Sequence, residues 1–385
     1  MPAVLILGGR APVALDHARR FVRQGWRACV ADSISCRGTA WSRYVHACVR
    51  IPSPRSEPRQ FAKSIARVVA QHDIDLLLPT CEEVFYVSRY RSLFPRELAV
   101  ATDHFDKLTA LHSKLEFMRL AAGCGAKVPE SSSVSTLSEA REWARGRPVV
   151  LKPEFSRFGV YVRIYPRGIP ADARELAHHD RWLVQEFCAG EELCSYSVAV
   201  AGRLTAHIAY RPLYRLSRSS SYYFDPVPAP AIRAFVEQFV RKTSYTGQIS
   251  FDWIRCADGE LAVLECNPRA ISGVHLFAAT DALPAAFMGG SAEIVEPSRA
   301  PARMIATLML TAGLATSMRT GRLSQWRQDY LRARDVITQP GDAWPLLGTI
   351  ADFGLHAVRA CRNRCSLREA ATRDIEWDGE RLPEC

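Results

Sequence analysis

The sequence predicts an α/β chain that becomes α+β and ends in helices, on three observations. The first hundred residues alternate apolar strands with helical segments, the pattern of a parallel sheet covered on both faces. From about residue 105 the chain turns strand-rich, with tight-turn signals between the strands. The last ninety or so residues hold helical segments and few strand signals. A length of 385 residues accommodates two or three compact units. The expected division is a doubly wound, Rossmann-like front domain over 1–104, a second domain over 105–290, and a mainly helical segment over 291–385 with no readable role.

Val4 to Leu7 reads as a buried strand that Gly8-Gly9 turns into a helix running through Ala18 to Gln24. Gly25 ends that helix, and Arg27 to Ala31 is the second strand, closed by Asp32. A Pro-rich link (Pro52, Pro54, Pro58) precedes a helix over about Phe61 to Gln71 and a third strand over Ile74 to Pro79. Leu108, Leu111, Leu115, Met118 and Leu120 carry helical spacing from Phe105 to Cys124. Strands then follow at Val149–Pro153, Trp182–Glu186, Cys194–Val200, Leu204–Tyr210, Gly247–Arg255 and Leu261–Cys266.

Composition narrows the function classes. Apolar residues at 48% and charged residues at 23% place the chain with globular proteins. Lys and Arg exceed Asp and Glu by 50 to 40, a formal charge of +10. The basic residues are spread along the chain, so nucleic acid is not an expected partner, and a site for a phosphorylated ligand accounts for the excess. The opening Met1 to Leu7 lacks a basic leader and reads directly as a strand. The twelve cysteines are therefore expected as free thiols in a cytoplasmic protein. Cys361 and Cys365 have no second pair at zinc spacing. Met304 to Met318 falls short of the ~18 residues a bilayer span needs and reads as a buried helix. Its flanking arginines, Arg299, Arg303, Arg319, Arg322 and Arg327, leave contact with a membrane surface as the lesser alternative.

The strongest chemical signal lies between Gly247 and Arg269. Two strands flank Cys256-Ala257-Asp258-Gly259, whose Asp-Gly step suits a tight hairpin. Glu265 and Asn267 are two apart on one strand and project together. Closing the hairpin at 257–259 puts Asp252 nearly opposite Glu265. Two carboxylates and an amide oxygen on one face make a hard-oxygen site suited to magnesium, with manganese an alternative. Arg269, after Pro268, suits a phosphoryl or carboxylate group. The competing account is a surface hairpin with solvated acids.

Gly-Gln-Ile-Ser-Phe-Asp-Trp-Ile, Asp-Gly-Glu and Val-Leu-Glu-Cys-Asn-Pro-Arg together resemble the metal-binding signature of the ATP-grasp family. The likeness is nearest to the branch of the carbamoyl phosphate synthase large subunit, with Ser272-Gly273 and His275-Leu276 following in order. The resemblance implies an ATP-grasp fold in which two α+β lobes clamp ATP. It also implies a magnesium-dependent ligase that activates a carboxylate as an acyl phosphate and joins it to an amine, releasing ADP and phosphate. Asp252, Glu265 and Asn267 match its metal ligands, and Arg269 and Lys152 its catalytic positions. Lys152, in Val149-Val150-Leu151-Lys152-Pro153, resembles the lysine on the α/β phosphates, and Lys114, 15 residues before Pro129, the earlier family lysine. Leu183 to Glu192 resembles the linker between the lobes. It implies Gln185 and Glu186 at the adenine amino group, the backbone of Phe187 and Cys188 at the ring edge, and Glu192 on the ribose hydroxyls.

The loop after Lys152 departs from that pattern. Glu154-Phe155-Ser156-Arg157-Phe158-Gly159 carries one glycine where the family has several, and close backbone approach to phosphate favours glycine. Arg157 is the candidate for supplying charge in place of backbone amides. The front domain implies an acceptor site, with Glu82 and Glu83 as substrate contacts or simply an acidic helix start. Glu82, Glu83 and His275 are the candidates for a general base. Gly8-Gly9 and Asp32 also resemble a dinucleotide-binding unit, but the full Gly-x-Gly-x-x-Gly is absent, which weakens an NAD(P)-dependent oxidoreductase. The same motifs are compatible with a nucleotide-binding regulatory protein and with ligation to a thiol or hydroxyl. Trp377 and its acidic neighbours could close the acceptor pocket, form an oligomer contact such as a homodimer, or simply pack.

Overall fold

The computed structural model describes residues 1–156, 161–176, 181–216, 220–297 and 300–383. Its front sheet is five-stranded and wholly parallel, in the order Ala47–Arg50, Arg27–Asp32, Ala3–Leu7, Leu76–Leu78, Ala99–Val100. Alternation in the first strand sends Ala3, Leu5 and Leu7 into one core and Val4 and Ile6 into another, so both faces are covered as the apolar runs imply. Three of these five strands are legible in the sequence. The other two are the sheet's edges: Ala99–Val100 has two residues, and Ala47–Arg50 is half-exposed with Arg50 at its end, so neither has a continuous apolar run. Proline at the first turn starts the helices Pro12–Arg23 and Pro58–Gln71.

The single helix expected over Phe105 to Cys124 is two helices, Phe105–His112 and Lys114–Gly123. Ser113 is extended between them (φ −62°, ψ 116°), and its side chain accepts the Glu116 N–H as the N-cap of the second. Leucine spacing continues across the break and hides it. The break makes Lys114 the first residue of a helix rather than a mid-helix side chain.

The smaller lobe is a four-stranded antiparallel sheet in the order Ser131–Val134, Trp182–Glu186, Val149–Pro153, Arg163–Tyr165. The helix Leu137–Ala144 covers the face formed by Val149, Leu151, Trp182 and Val184. Strand alternation puts Lys152 and Gln185 on the other face. The larger sheet has seven strands in the order Leu261–Asn267, Gly247–Cys256, Gly190–Val200, Arg203–Arg215, Ser221–Pro226, Arg303–Met304, Arg334–Asp335. One face packs Phe251, Trp253 and Val263 against Val236 and Phe239 of the helix Pro230–Thr243.

The C-terminal residues are woven through both halves. Two of their strands extend the larger sheet, and the helix Trp344–Asn363 docks on the front domain, where Asp352 accepts bonds from Ser35 (2.7 Å) and the Gly38 N–H (2.9 Å). Residues 366–383 then reach the carboxyl ends of the front strands, where the Tyr86 and Tyr90 hydroxyls donate to the carbonyls of Glu376 and Pro383. The stretch Met304 to Met318, expected as a buried helix, is a surface one. Met309 is buried against Tyr222 and Tyr223, but Met318 is 65% exposed, because only one side meets the sheet. Among the described residues no helix is long and apolar enough to cross a membrane, and every cysteine is free.

Candidate active site

The hairpin closes with Gly259 at φ 85° and the Cys256 N–H on the Glu260 carbonyl at 2.8 Å. Asp252 then pairs directly with Glu265, and Ser250 with Asn267. Phe251 and Cys266 fill the core behind, so Asp252, Glu265 and Asn267 share the opposite face. A bulge follows: Trp253 pairs with Val263, leaving Leu264 as an extra residue. The Leu264 carbonyl accepts the Lys152 ammonium at 3.3 Å, so the irregularity joins the hairpin to the smaller lobe. One strand further in, Cys194 stands opposite Asp252 and its thiol donates to Asp252 Oδ1 at 3.1 Å. Sequence reasoning missed Cys194, since only the strand register reveals it.

Two acids and two lysines share this buried space. Burial pushes Asp252 up to about 8, and the charge of Glu265 adds to the push. Burial also acts upward on Glu265, but Lys114 and Lys152 outweigh it and hold the carboxylate down at about 2. Lys152 is lowered to about 8 by burial, against the pull of Glu265. Lys114 is lowered for the same reason, and its ammonium donates to the carbonyls of Glu154 (3.2 Å) and Ser156 (2.9 Å). Two carboxylates side by side resist double ionisation, so the face is short of positive charge near Asp252. A divalent cation fits that need. Among the described residues no three His, Cys, Asp or Glu side chains converge on one point. The donors are two carboxylates and the Asn267 amide, an incomplete oxygen set of the kind magnesium completes with water and phosphate oxygens.

Arg269 bends back over this face. Its Nη2 donates to Asn267 Oδ1 at 3.1 Å, and its Nε lies 3.9 Å from Glu82 Oε1. The other oxygen of Glu82 accepts the Trp377 N–H at 3.2 Å. The Trp377 ring stacks on Phe85 (4.7 Å) and meets Phe155 edge-on (5.4 Å). A side chain's first carbon at Gly379, φ 90°, would lie 2.5 Å from the Phe155 ring. The C-terminal tail therefore contacts both Glu82, the partner of Arg269, and Phe155, three residues after Lys152. The sequence signal for this was the bulky Phe155 in a place expected to be glycine-rich; its partner could not be read.

The proposed nucleotide residues fall into two groups. Gln185 shares the Lys152 face, where its amide donates to the Ser131 hydroxyl at 2.9 Å. Cys188 is half-buried, its thiol pushed up to about 11 by burial and the nearby Glu186. The Glu186 side chain points outward, while its N–H bonds the Glu130 carbonyl at 2.8 Å. Glu192 is on the Cys194 and Asp252 face by strand alternation, exposed and paired with Arg215. Arg157 lies outside the described residues.

Three front-domain and neighbouring candidates have structural duties. Glu83 is buried beneath Gly8, and one oxygen accepts the N–H groups of Thr80 and Cys81, both at 2.9 Å. That fits the helix-start account rather than substrate contact. His275 is buried with Nδ1 2.7 Å from Asp16, and its ring stacks on Phe224, which removes it as a general base. Asp32 is held by Arg10 through its side chain and its N–H (2.8 Å), so it is not free for a ribose.

No protein-family model matches the chain, and no curated protein matches it in sequence. Solved structures do match. Staphylococcus aureus N5-carboxyaminoimidazole synthetase, solved with ADP, superposes with a TM-score of 0.62 at 13% identity over 83% of this chain and 86% of that one. The biotin carboxylase domain dimer of Hydrogenobacter thermophilus 2-oxoglutarate carboxylase, solved with MgADP and bicarbonate, gives 0.59 at 14% identity over 76% and 70%. The L-amino acid ligase of Bacillus licheniformis gives 0.56 at 13% over 78% and 79%. With the parallel front sheet, the four-stranded and seven-stranded sheets and the acidic hairpin, this likeness identifies the architecture: the chain has the ATP-grasp fold.

Proposed function

We propose that the chain is an ATP- and magnesium-dependent ligase that phosphorylates a carboxylate and passes the acyl group to an amine. The observation that carries this reading is the Asp252–Glu265 cross-strand pair set against the buried ammonium groups of Lys114 and Lys152. Asp252, Glu265 and Asn267 would hold Mg2+, which when bound neutralises charge on the phosphate oxygens. Lys114 and Lys152 exchange their backbone carbonyl partners for phosphate oxygens, forming stronger charge-assisted bonds. The substrate carboxylate attacks the γ-phosphorus, the bond to ADP breaks, and an acyl phosphate forms. Arg269 stabilises the charge gathering on the transferred oxygens, and Glu82 sets its orientation. The amine then displaces phosphate to leave the amide. Phe155 and Trp377 supply an apolar wall that excludes water from the acyl phosphate.

The neighbours include ligases and a carboxylase, and two of those structures contain ADP, which supports nucleotide use without naming this chain's substrates. The anchoring of Phe155 favours one second reading, a nucleotide-binding regulator whose phosphate loop does not cycle. Mass spectrometry of reactions containing MgATP and pooled carboxylic acids and amines separates the two. A ligase yields ADP, phosphate and a new amide that vanish together in Glu265→Gln/Asn267→Ala. Full turnover in that double variant would remove the site assignment, and nucleotide binding with no ADP from any pool would favour the regulator.

A further inference from the structure

The helix Trp344–Asn363 is packed inside out. Its inner side is small or polar: Pro345, Gly348 and Asp352 are buried, with Gly348 against the Arg37 carbonyl. Its outer side carries the large apolar residues, with Trp344 66%, Leu347 51%, Ile350 58%, Phe353 61% and Val358 60% exposed. A surface helix normally does the reverse, and an apolar face of this kind marks an interaction site. Asp352, the helix's one acid, points inward.

We infer that this face is a two-fold interface with a second copy of the chain, the helices crossing antiparallel at Gly354. Leu347, Ile350, Gly354, Ala357 and Cys361 recur at the 3-4 spacing of a helix-pairing seam. Large side chains, Leu347 and Ile350, precede Gly354 on that seam, and small ones, Ala357 and Cys361, follow it. A dyad through Gly354 lays Leu347 of one copy over Cys361 of the other, and Ile350 over the partner's Ala357 and Val358. Each large group then meets a smaller one on both sides of the axis, a self-complementary match of the kind an isologous contact needs. Trp344 reaches the partner's arginine end at Arg362 and Arg364, a cation–π match rather than a like-charge clash.

Gly354 itself is the second, independent observation. A side chain there would touch nothing within 4 Å in its own chain, so the fold does not demand glycine. Glycine inside a helix costs about 1 kcal/mol relative to alanine. Close approach of a second backbone gives that glycine a purpose. A lipid surface would accept the apolar residues but has no use for their division by size or for a central glycine.

Analytical ultracentrifugation of the full chain at micromolar concentration tests this, together with bis-maleimide cross-linking of Leu347→Cys. The expected results are a dimer for the natural chain and at least ~100-fold weaker association for Gly354→Leu, with its monomer still folded by circular dichroism. Leu347→Cys should cross-link to the natural Cys361 of the partner, and Cys361→Ser should abolish the product. Phe353→Asp provides a second way to split the dimer without touching the seam's centre. A natural chain that stays monomeric would overturn the inference, as would a dimer indifferent to Gly354→Leu and Phe353→Asp. Monomers that co-sediment with phosphatidylglycerol vesicles would overturn it in favour of a lipid surface.

Discussion

The acidic and basic walls of the cleft are anchored by opposite means. Asp252 and Glu265 are fixed by strand register: Cys194, Asp252 and Glu265 form a row across three adjacent strands, with aromatic packing behind. Lys114 and Lys152 are fixed by reach, extending long side chains to the carbonyls of Glu154, Ser156 and Leu264. Ladder placement leaves no freedom, because moving one acid means breaking a sheet. Placement by a flexible stem can be surrendered when a better anion arrives. The acidic wall is thus preorganised, whereas the basic wall is held by bonds that a phosphate can replace.

The largest expected effect comes from breaking the acidic wall at its charged member. Glu265→Gln should cost at least ~100-fold in magnesium-dependent ATP turnover. It should also lower the stability of the ligand-free protein by about 3 kcal/mol, since two buried ammonium groups lose their counter-charge. Asp252→Asn should abolish turnover to a similar degree but change ligand-free stability by less than about 1 kcal/mol, because Asp252 is already pushed toward its neutral form. Calorimetric titration with MgATP and denaturant melts measure both. Equal destabilisation by the two variants would contradict the unequal charging of the pair.

These two walls also differ in how far they could be read in advance. The hairpin was legible because period-two alternation and an Asp-Gly turn fix which side chains face each other. The front domain's central strands were legible as apolar runs. What escaped depends on long-range contact or on short elements: the edge strands, the Ser113 break that aims Lys114, and Cys194 in the acid row. The partnership of Phe155 with Trp377 joins residues more than two hundred positions apart. No local pattern encodes it, although the missing glycines after Lys152 marked where to look.

Stability should next respond at that partnership. Trp377→Ala removes a ring packed on Phe85, Phe105 and Phe155 and should cost about 3–5 kcal/mol. Gly379→Ala should cost about 2 kcal/mol through its left-handed backbone and its clash with Phe155. Adding Phe155→Ala should recover part of the Gly379→Ala loss. Additive losses in that cycle would show that the tail does not bear on Phe155.

Acid tests the sheet that carries the acidic wall. His17 and His207 are buried beside Gln248 (3.2 Å) and Ser197 (2.9 Å), and burial holds each down at about 3. The unfolded histidines take up protons below about 6.5 while the folded ones do not, so their stabilisation is complete above that pH and is lost as the pH falls toward 3. Each contributes about 1.4 kcal/mol per pH unit across the window. Melts of His207→Gln between pH 6 and 4 should show a pH slope shallower by about that amount. An unchanged slope would mean that His207 is not held neutral in the folded sheet.

The smallest effect on folding, and the sharpest test of the nucleotide assignment, lies at Glu192. Its carboxylate is 54% exposed and its partner Arg215 is 26% exposed, so their ion pair is worth at most about 1 kcal/mol. Glu192→Ala should leave melting nearly unchanged. If the carboxylate accepts the ribose hydroxyls, the same variant should bind MgATP roughly 10-fold more weakly, the loss of one or two bonds to a charged acceptor. Arg215→Ala frees Glu192 from its competitor and should leave affinity equal or slightly higher. The decisive measurement repeats the titration with 2′,3′-dideoxy-ATP, for which the natural chain and Glu192→Ala should bind alike. A 10-fold gap that survives removal of both hydroxyls would assign Glu192 to the phosphates or to the lobe geometry, and the ribose contact would have to be sought elsewhere on the linker.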